Sequence, residues 1–238
     1  MTIIPADAAY SWANNITVNM EGMNWEYTEQ YSGNRSVIMK SAIDSELGDN
    51  DGFVAAWELL KADTLSRKNL FTSVSRKMDV RINDSSARIS LCGVECGMAK
   101  ELLGPVAKQE DVSNTYRVSY AFTEPLAGQD SRIWFQGEPK TYVAIRMPEG
   151  VDILSVEGVD NAAISRQGII ADVKGEFDLT GEAVVVYRVN GNSSKPQKQG
   201  FETDPVSPQI PEEPFSLDEV FPGSTDKLLE RLKRSSKL

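Results

Sequence analysis

The sequence predicts an α+β protein, mainly antiparallel β-sheet with a two-helix insertion near residues 34–74, a β-rich, sandwich-like C-terminal half and a flexible tail. Three observations carry that expectation. Apolar residues alternate with polar ones at period two on both sides of the insertion, the spacing lengthens to three or four within it, and the composition turns proline-rich and acidic after Gly191.

Ile16, Val18 and Met20 alternate with polar residues, as do Trp25 and Tyr27 after Glu21-Gly22-Met23-Asn24. This predicts a hairpin with one buried face and its turn at those four residues. Asn34 is placed to cap a helix carrying Val37, Ile38, Ala42 and Ile43 on one side. A second and stronger helical pattern follows, with Phe53, Val54, Trp57, Leu60, Leu65 and Leu70 recurring every three to four residues or so, and Lys61, Arg67 and Lys68 off that stripe.

From Met78 the period returns to two. Met78, Val80 and Ile82, then Ala87, Ile89 and Leu91, flank Asn83-Asp84-Ser85-Ser86 and predict a second hairpin. A short helical piece over residues 98–103 stops at Gly104-Pro105. Strands are expected over residues 116–122 and 133–135, and a boundary at Gly137-Glu138-Pro139 would divide an α+β part from a sandwich-like part. Residues 141–189 hold no helical pattern, only short β candidates at 142–147, 151–156, 163–164, 169–173, 177–179 and 183–189. Their connections are too short for crossover helices, which favours antiparallel pairing.

The folded domain is therefore expected over residues 10–190. Six of the eleven prolines lie in residues 196–222, and residues 200–225 hold six acidic and no basic residues. Such a stretch buries too little apolar surface to offset its ordering entropy, so residues 191–238 read as a linker or tail. A short helix is expected at residues 226–237. At the other end, residues 3–9 finish in a small-x-small triplet of signal-peptidase type with no apolar core before it, as expected of a chain that begins near a mature N-terminus.

A net charge of −10 argues against nucleic acid and anionic lipid as partners, since a phosphate backbone is bound through clustered Lys and Arg. The chain has no histidine, which removes Ser-His-Asp and Cys-His catalysis and His-ligated zinc. No run of about 18 apolar residues is present to span a membrane. Cys92 and Cys96 alone cannot complete a zinc site, and on a regular strand they stand about 13 Å apart. A turn through Gly93 would allow a disulfide, and two separate small core residues are the other reading. Sequons begin at Asn15, Asn34, Asn83 and Asn192. The four tryptophans, which would stack on sugars in a glycan site, sit in amphipathic patterns expected of core residues.

The most specific chemistry lies between the two helices, where residues 48–58 resemble the calcium loop of an EF-hand. With Gly52 sixth, Asp49 is third, Asp51 fifth, the Phe53 carbonyl seventh and Glu58 the twelfth, bidentate ligand. The first position falls on Leu47, which has no side-chain oxygen, so Asp44 or Glu46 must reach in from the preceding helix if Ca2+ binds. The same residues also read as a plain helix start. Asp49, Asn50 and Asp51 are good N-cap residues whose charge suits the positive end of the dipole, and Glu58 would then face solvent.

The alternating N-terminus, the Asp49-to-Lys61 helix start and the β-rich remainder before a proline-rich stem together resemble exported or membrane-anchored archaeal surface proteins. That resemblance implies a non-catalytic extracytoplasmic domain that binds a protein or surface glycan, or contributes to a surface assembly. A calcium-stabilised adhesion or glycan-binding module is the alternative, a carboxylate-based hydrolase a more distant one, and a cytoplasmic location the alternative to the cell surface.

Overall fold

A computed structural model describes residues 10–128 and 130–190. Thirteen strands and two helices follow one another as β1 (Tyr10–Asn19), β2 (Gly22–Tyr31), α1 (Asn34–Leu47), β3 (Phe53–Val54), α2 (Ala56–Arg76), β4 (Val80–Ile82), β5 (Ile89–Gly97), β6 (Gly104–Pro105), β7 (Val112–Phe122), β8 (Ser131–Gln136), β9 (Tyr142–Arg146), β10 (Val151–Glu157), β11 (Val159–Gln167), β12 (Ile170–Phe177) and β13 (Glu182–Val189). A seven-stranded sheet runs β11-β12-β9-β1-β2-β7-β5, a four-stranded sheet runs β10-β13-β8-β4, and β3 pairs with β6. The fold is α+β and sandwich-like, as the alternating pattern predicts. Among these ladders one pair is parallel, β1 with β9; the rest are antiparallel.

The period-two pattern is what builds the core. Ile16 and Val18 of β1, Met23, Trp25 and Tyr27 of β2, Val118 and Tyr120 of β7, and Val143 and Ile145 of β9 all project from one face of the large sheet and are buried. They meet Ile133 and Phe135 of β8 and Val185 and Tyr187 of β13 from the smaller sheet in one apolar cluster. Residues on either side of Gly137 thus share a single core. A second, smaller core gathers Tyr31, Ile43, Val54, Ala62, Leu102 and Val112 under the helices.

Three sequence expectations are corrected. The first turn falls at Met20-Glu21, because Gly22 already pairs with Asn19; Gly22 is required where it is, since a Cβ there would lie 2.3 Å from the Tyr120 carbonyl oxygen on β7. The Asn83–Ser86 turn closes no hairpin. It holds one isolated bridge, Ile82 with Ser85, and then the chain changes sheets, β4 pairing with β8 and β5 with β7. On α2 the period is right and the face is shifted: Trp57, Leu60 and Phe71 are exposed, whereas Glu58, Ala62 and Val74 are buried.

Two carboxylates meet tyrosines of the large sheet, Glu29 from β2 itself and Asp79 from the link between α2 and β4. Glu29 accepts the hydroxyls of Tyr31 at 2.9 Å and Tyr116 at 3.1 Å, and Asp79 accepts those of Tyr120 at 2.7 Å and Tyr27 at 3.0 Å. Burial pushes both above the ordinary carboxylate range, and the tyrosine hydroxyls oppose it only in part. The folded state therefore keeps these protons at a pH where the unfolded chain has released them. Their contribution to stability falls as pH rises from about 4 toward the folded-state value. Glu29→Gln keeps an acceptor for the tyrosines and removes the charge, so its melting temperature relative to the wild type is expected to rise progressively over that interval. A difference between the two melts that does not change with pH would refute it.

Candidate metal centre

Helix α1, the loop of residues 48–55 and helix α2 form a helix-loop-helix whose loop is tied down from three sides. The backbone N–H groups of Gly48 and Asn50 donate to the Asp44 carbonyl at 3.0 and 3.3 Å, which ends α1. Val54 is fully buried and pairs with Gly104 across β3 and β6, while the Val106 N–H donates to the Gly52 carbonyl at 2.9 Å. Asn50 at φ 59° and Gly52 at φ 86° supply the left-handed positions that fold the loop back on itself.

The Asp44 side chain, 3% exposed, turns from the last turn of α1 into this loop. Its Oδ1 accepts the Asp51 N–H at 3.2 Å and its Oδ2 the Gly52 N–H at 3.0 Å. Asp51 Oδ1 accepts the Phe53 N–H at 2.8 Å. Carboxylate oxygens of Asp44, Asp49 and Asp51 lie within 4.8 Å of one another, a group able to hold a metal ion. Asp44 and Asp51 are partly engaged by backbone donors; Asp49 is exposed and has no such tie.

Of the sequence-predicted ligands, then, the loop brings together Asp49, Asp51 and Asp44. Glu46 is exposed on α1 and stands outside the group. Phe53 lies in β3, is 48% exposed and contributes its N–H to Asp51. Glu58 is neither outside in solvent nor among the three. It is 1% exposed, and its Oε2 accepts the Ala55 N–H at 2.9 Å, the carboxylate half of a capping box at the start of α2. Its other oxygen lies under Gly48, where an added Cβ would sit 1.9 Å from Oε1, so that glycine is what lets the end of α1 approach the start of α2.

Asp44 lies three residues before Leu47, on nearly the same helix face, and that spacing is the sequence signal that it can replace the missing first ligand. A partly buried ion pair gave no such signal. Lys40 of α1 is fully buried, its Nζ 2.7 Å from Glu110 Oε2 and 3.3 Å from the Lys108 carbonyl oxygen, and the hydroxyl of Ser36 accepts the Glu110 N–H at 3.1 Å. Lys108 and Lys40 hold the Glu110 carboxyl below its ordinary value. These contacts fix α1 against the segment that also carries β6, and so position Asp44.

Beside the loop, the shifted face of α2 leaves an apolar surface open. Ala56, Leu59, Leu60 and Asp63 of α2, with Cys96, Gly97, Met98 and Leu103, line a groove of about 370 Å³. Phe53 and Trp57 are exposed near its loop end, and the Lys61 Nζ stands 3.9 Å over the Trp57 ring while donating to the Leu47 carbonyl at 3.0 Å. Cys92 and Cys96 are both free thiols on β5. Burial, reinforced by Asp63, pushes the Cys96 thiol up to about 12, which keeps it protonated and unreactive at neutral pH. Asn15, Asn34 and Asn83 are exposed; Asn192 and the tail lie outside the described residues. Among the described residues no helix is long and apolar enough to cross a membrane.

No protein-family model matches the chain, and neither does any curated protein. Among solved structures it is similar to an M1 zinc metallopeptidase from Deinococcus radiodurans, at 7% identity and a TM-score of 0.27, over 76% of this chain and 43% of that one. A two-domain M1 zinc metallopeptidase bound to L-arginine gives 7% identity and a TM-score of 0.28, over 75% and 42%. The chain spans less than half the length of these proteins, and a likeness this slight carries no argument about its activity.

Proposed function

We propose that this chain is a non-catalytic, extracytoplasmic binding domain whose two-helix corner is locked by a calcium ion and whose α2 face receives a partner. One observation carries the reading: three carboxylates, one from the end of α1 and two from the loop that leads into α2, converge at the α1–α2 junction, and α2 lines an uncovered apolar groove. Oxygen-only donors of this kind suit a hard cation such as Ca2+. Without the ion, three negative charges within 4.8 Å repel one another across the joint; with it, the end of α1 and the loop are drawn together. The groove's exposed Leu60 and Leu103, with the exposed Trp57 on the same helix as Leu60, then sit on a fixed platform, as apolar surface at a binding site requires. The role of the ion is structural, and no bond is made or broken at it.

Calorimetric titration with calcium tests this. One ion per chain is expected, with a dissociation constant of about 10⁻⁴–10⁻³ M, the range of extracellular modules with few charged ligands. Asp51→Ala is expected to weaken binding at least about tenfold, a loss of about 1.4 kcal/mol. No saturable heat at calcium concentrations well above that range would reject the ion site.

A further inference from the structure

The core of the seven-stranded sheet runs one strand further than its cover. Ile164, Val173, Ile145, Ile16, Trp25, Val118 and Val94 are successive cross-strand partners from β11 to β5, a single apolar row across all seven strands. The five from Val173 to Val118 are at most 1% exposed, and Val94 packs against the same core. Ile164 is 53% exposed. The smaller sheet stops short of it: β10 is its edge strand on that side and packs over β12, reaching β11 through the ion pair of Asp152 with Arg166.

Among the described residues strand β11 is also the open edge of its sheet, and every residue from Asn161 to Gln167 is exposed. Which backbone groups face outward follows from the ladder. The N–H of Met147 donates to the Ala171 carbonyl and that of Phe177 to the Thr141 carbonyl, so alternate residues of β12 from Ala171 onward bond to β9. Asp172 and Lys174 therefore bond to their β11 partners, Ser165 and Ala163. The N–H and C=O of Ile164 and Arg166 are left pointing away from the sheet. Beyond the irregularity at Asn161, residues 162–167 carry neither proline nor lysine, and the one charge, Arg166, is already paired. Soluble proteins ordinarily guard such an edge.

We propose that this edge pairs antiparallel with β11 of a second copy of the chain, about a twofold axis at Ile164. This goes beyond the partner-binding reading of the α2 face and rests on neither that face nor the ion. The arrangement is self-complementary. The two Ile164 residues exchange N–H and C=O bonds across the axis, their side chains lie together and extend the apolar row into the second sheet, and each Arg166 faces an Ala162 of the other copy, so no like charges stand opposite. The opposite edge, β5, fits such pairing less well, being broken in register between Leu91 and Gly93 and packed against α2.

Sedimentation equilibrium of the full chain, in calcium and in chelator, tests the proposal. The mass is expected to rise with concentration from 26.2 kDa toward twice that value in both buffers. Ile164→Pro removes an outward N–H without touching the bonds to β12, and Ile164→Lys sets two ammonium groups side by side. Both are expected to remain at the single-chain mass at every concentration, with melts matching the dilute wild type. A wild type that stays at single-chain mass in both buffers would overturn the dimer and leave the calcium titration standing. A dimer that survives both substitutions, or a mass that grows past two chains as head-to-tail pairing with β5 would give, would overturn it equally.

Discussion

Trp25→Ala is expected to destabilise the fold by about 3–5 kcal/mol, the range for removing a large aromatic side chain from a well-packed core. Trp25 is fully buried in β2, an inner strand of the seven-stranded sheet next to its central strand β1. Its ring stacks on Tyr27 at 5.1 Å, meets Phe135 of the other sheet edge-on at 6.0 Å and lies 6.4 Å from Phe177. The indole N–H donates to Asn14 Oδ1 at 3.2 Å. Asn14 is itself buried, and its amide donates to the Thr141 hydroxyl and the Tyr142 carbonyl, both at 2.9 Å, so it joins β1 to the start of β9. The substitution thus opens a cavity between the sheets and weakens the amide link across the parallel pair. Trp25→Phe refills most of the space and loses only the hydrogen bond, and should fall well short of the alanine variant. Urea denaturation measures both; a loss below about 1 kcal/mol for Trp25→Ala would mean that the two sheets do not share the core described.

That core was legible because alternation along a strand states which residues share a face, and Ile16, Val18, Trp25 and Tyr27 need no partner strand to declare themselves. What alternation omits is which strand lies beside which. The Asn83–Ser86 turn has the composition of a hairpin turn, yet β4 and β5 enter different sheets, a choice made by packing across the sandwich. The helical stripe of α2 misled for a local reason. Glu58 turns inward to cap Ala55, which rotates Trp57 and Leu60 outward. A capping residue and a terminal ion ligand are both written as Glu at that distance from the loop, and only the backbone N–H it reaches tells them apart.

The candidate site was half legible in the same sense. Asp49 and Asp51 were visible from the loop motif, and Asp44 only as one of two candidates, with Glu46, for the deficient first position. The Lys40–Glu110 pair that helps hold α1 in place joins residues 70 apart, a contact that no local pattern encodes. The open row at Ile164 was equally hidden, since a half-exposed isoleucine in an alternating strand reads as ordinary core until the smaller sheet is seen to end before it.

The lock at the α1–α2 corner is tested most directly by thermal melts of the wild type and Asp49→Asn, each in calcium and in chelator. Asp49 makes none of the hydrogen bonds that shape the loop, so replacing it removes charge and a ligand while leaving the fold's own contacts intact. The wild type is expected to gain about 2.7 kcal/mol at a hundredfold excess of calcium over the dissociation constant. Asp49→Asn is expected to melt at or slightly above the wild type in chelator, because one of three mutually repelling charges is gone, and clearly below it in calcium. That reversal of order is the signature of an ion held by the three carboxylates. Wild-type melts that coincide in calcium and chelator would contradict it.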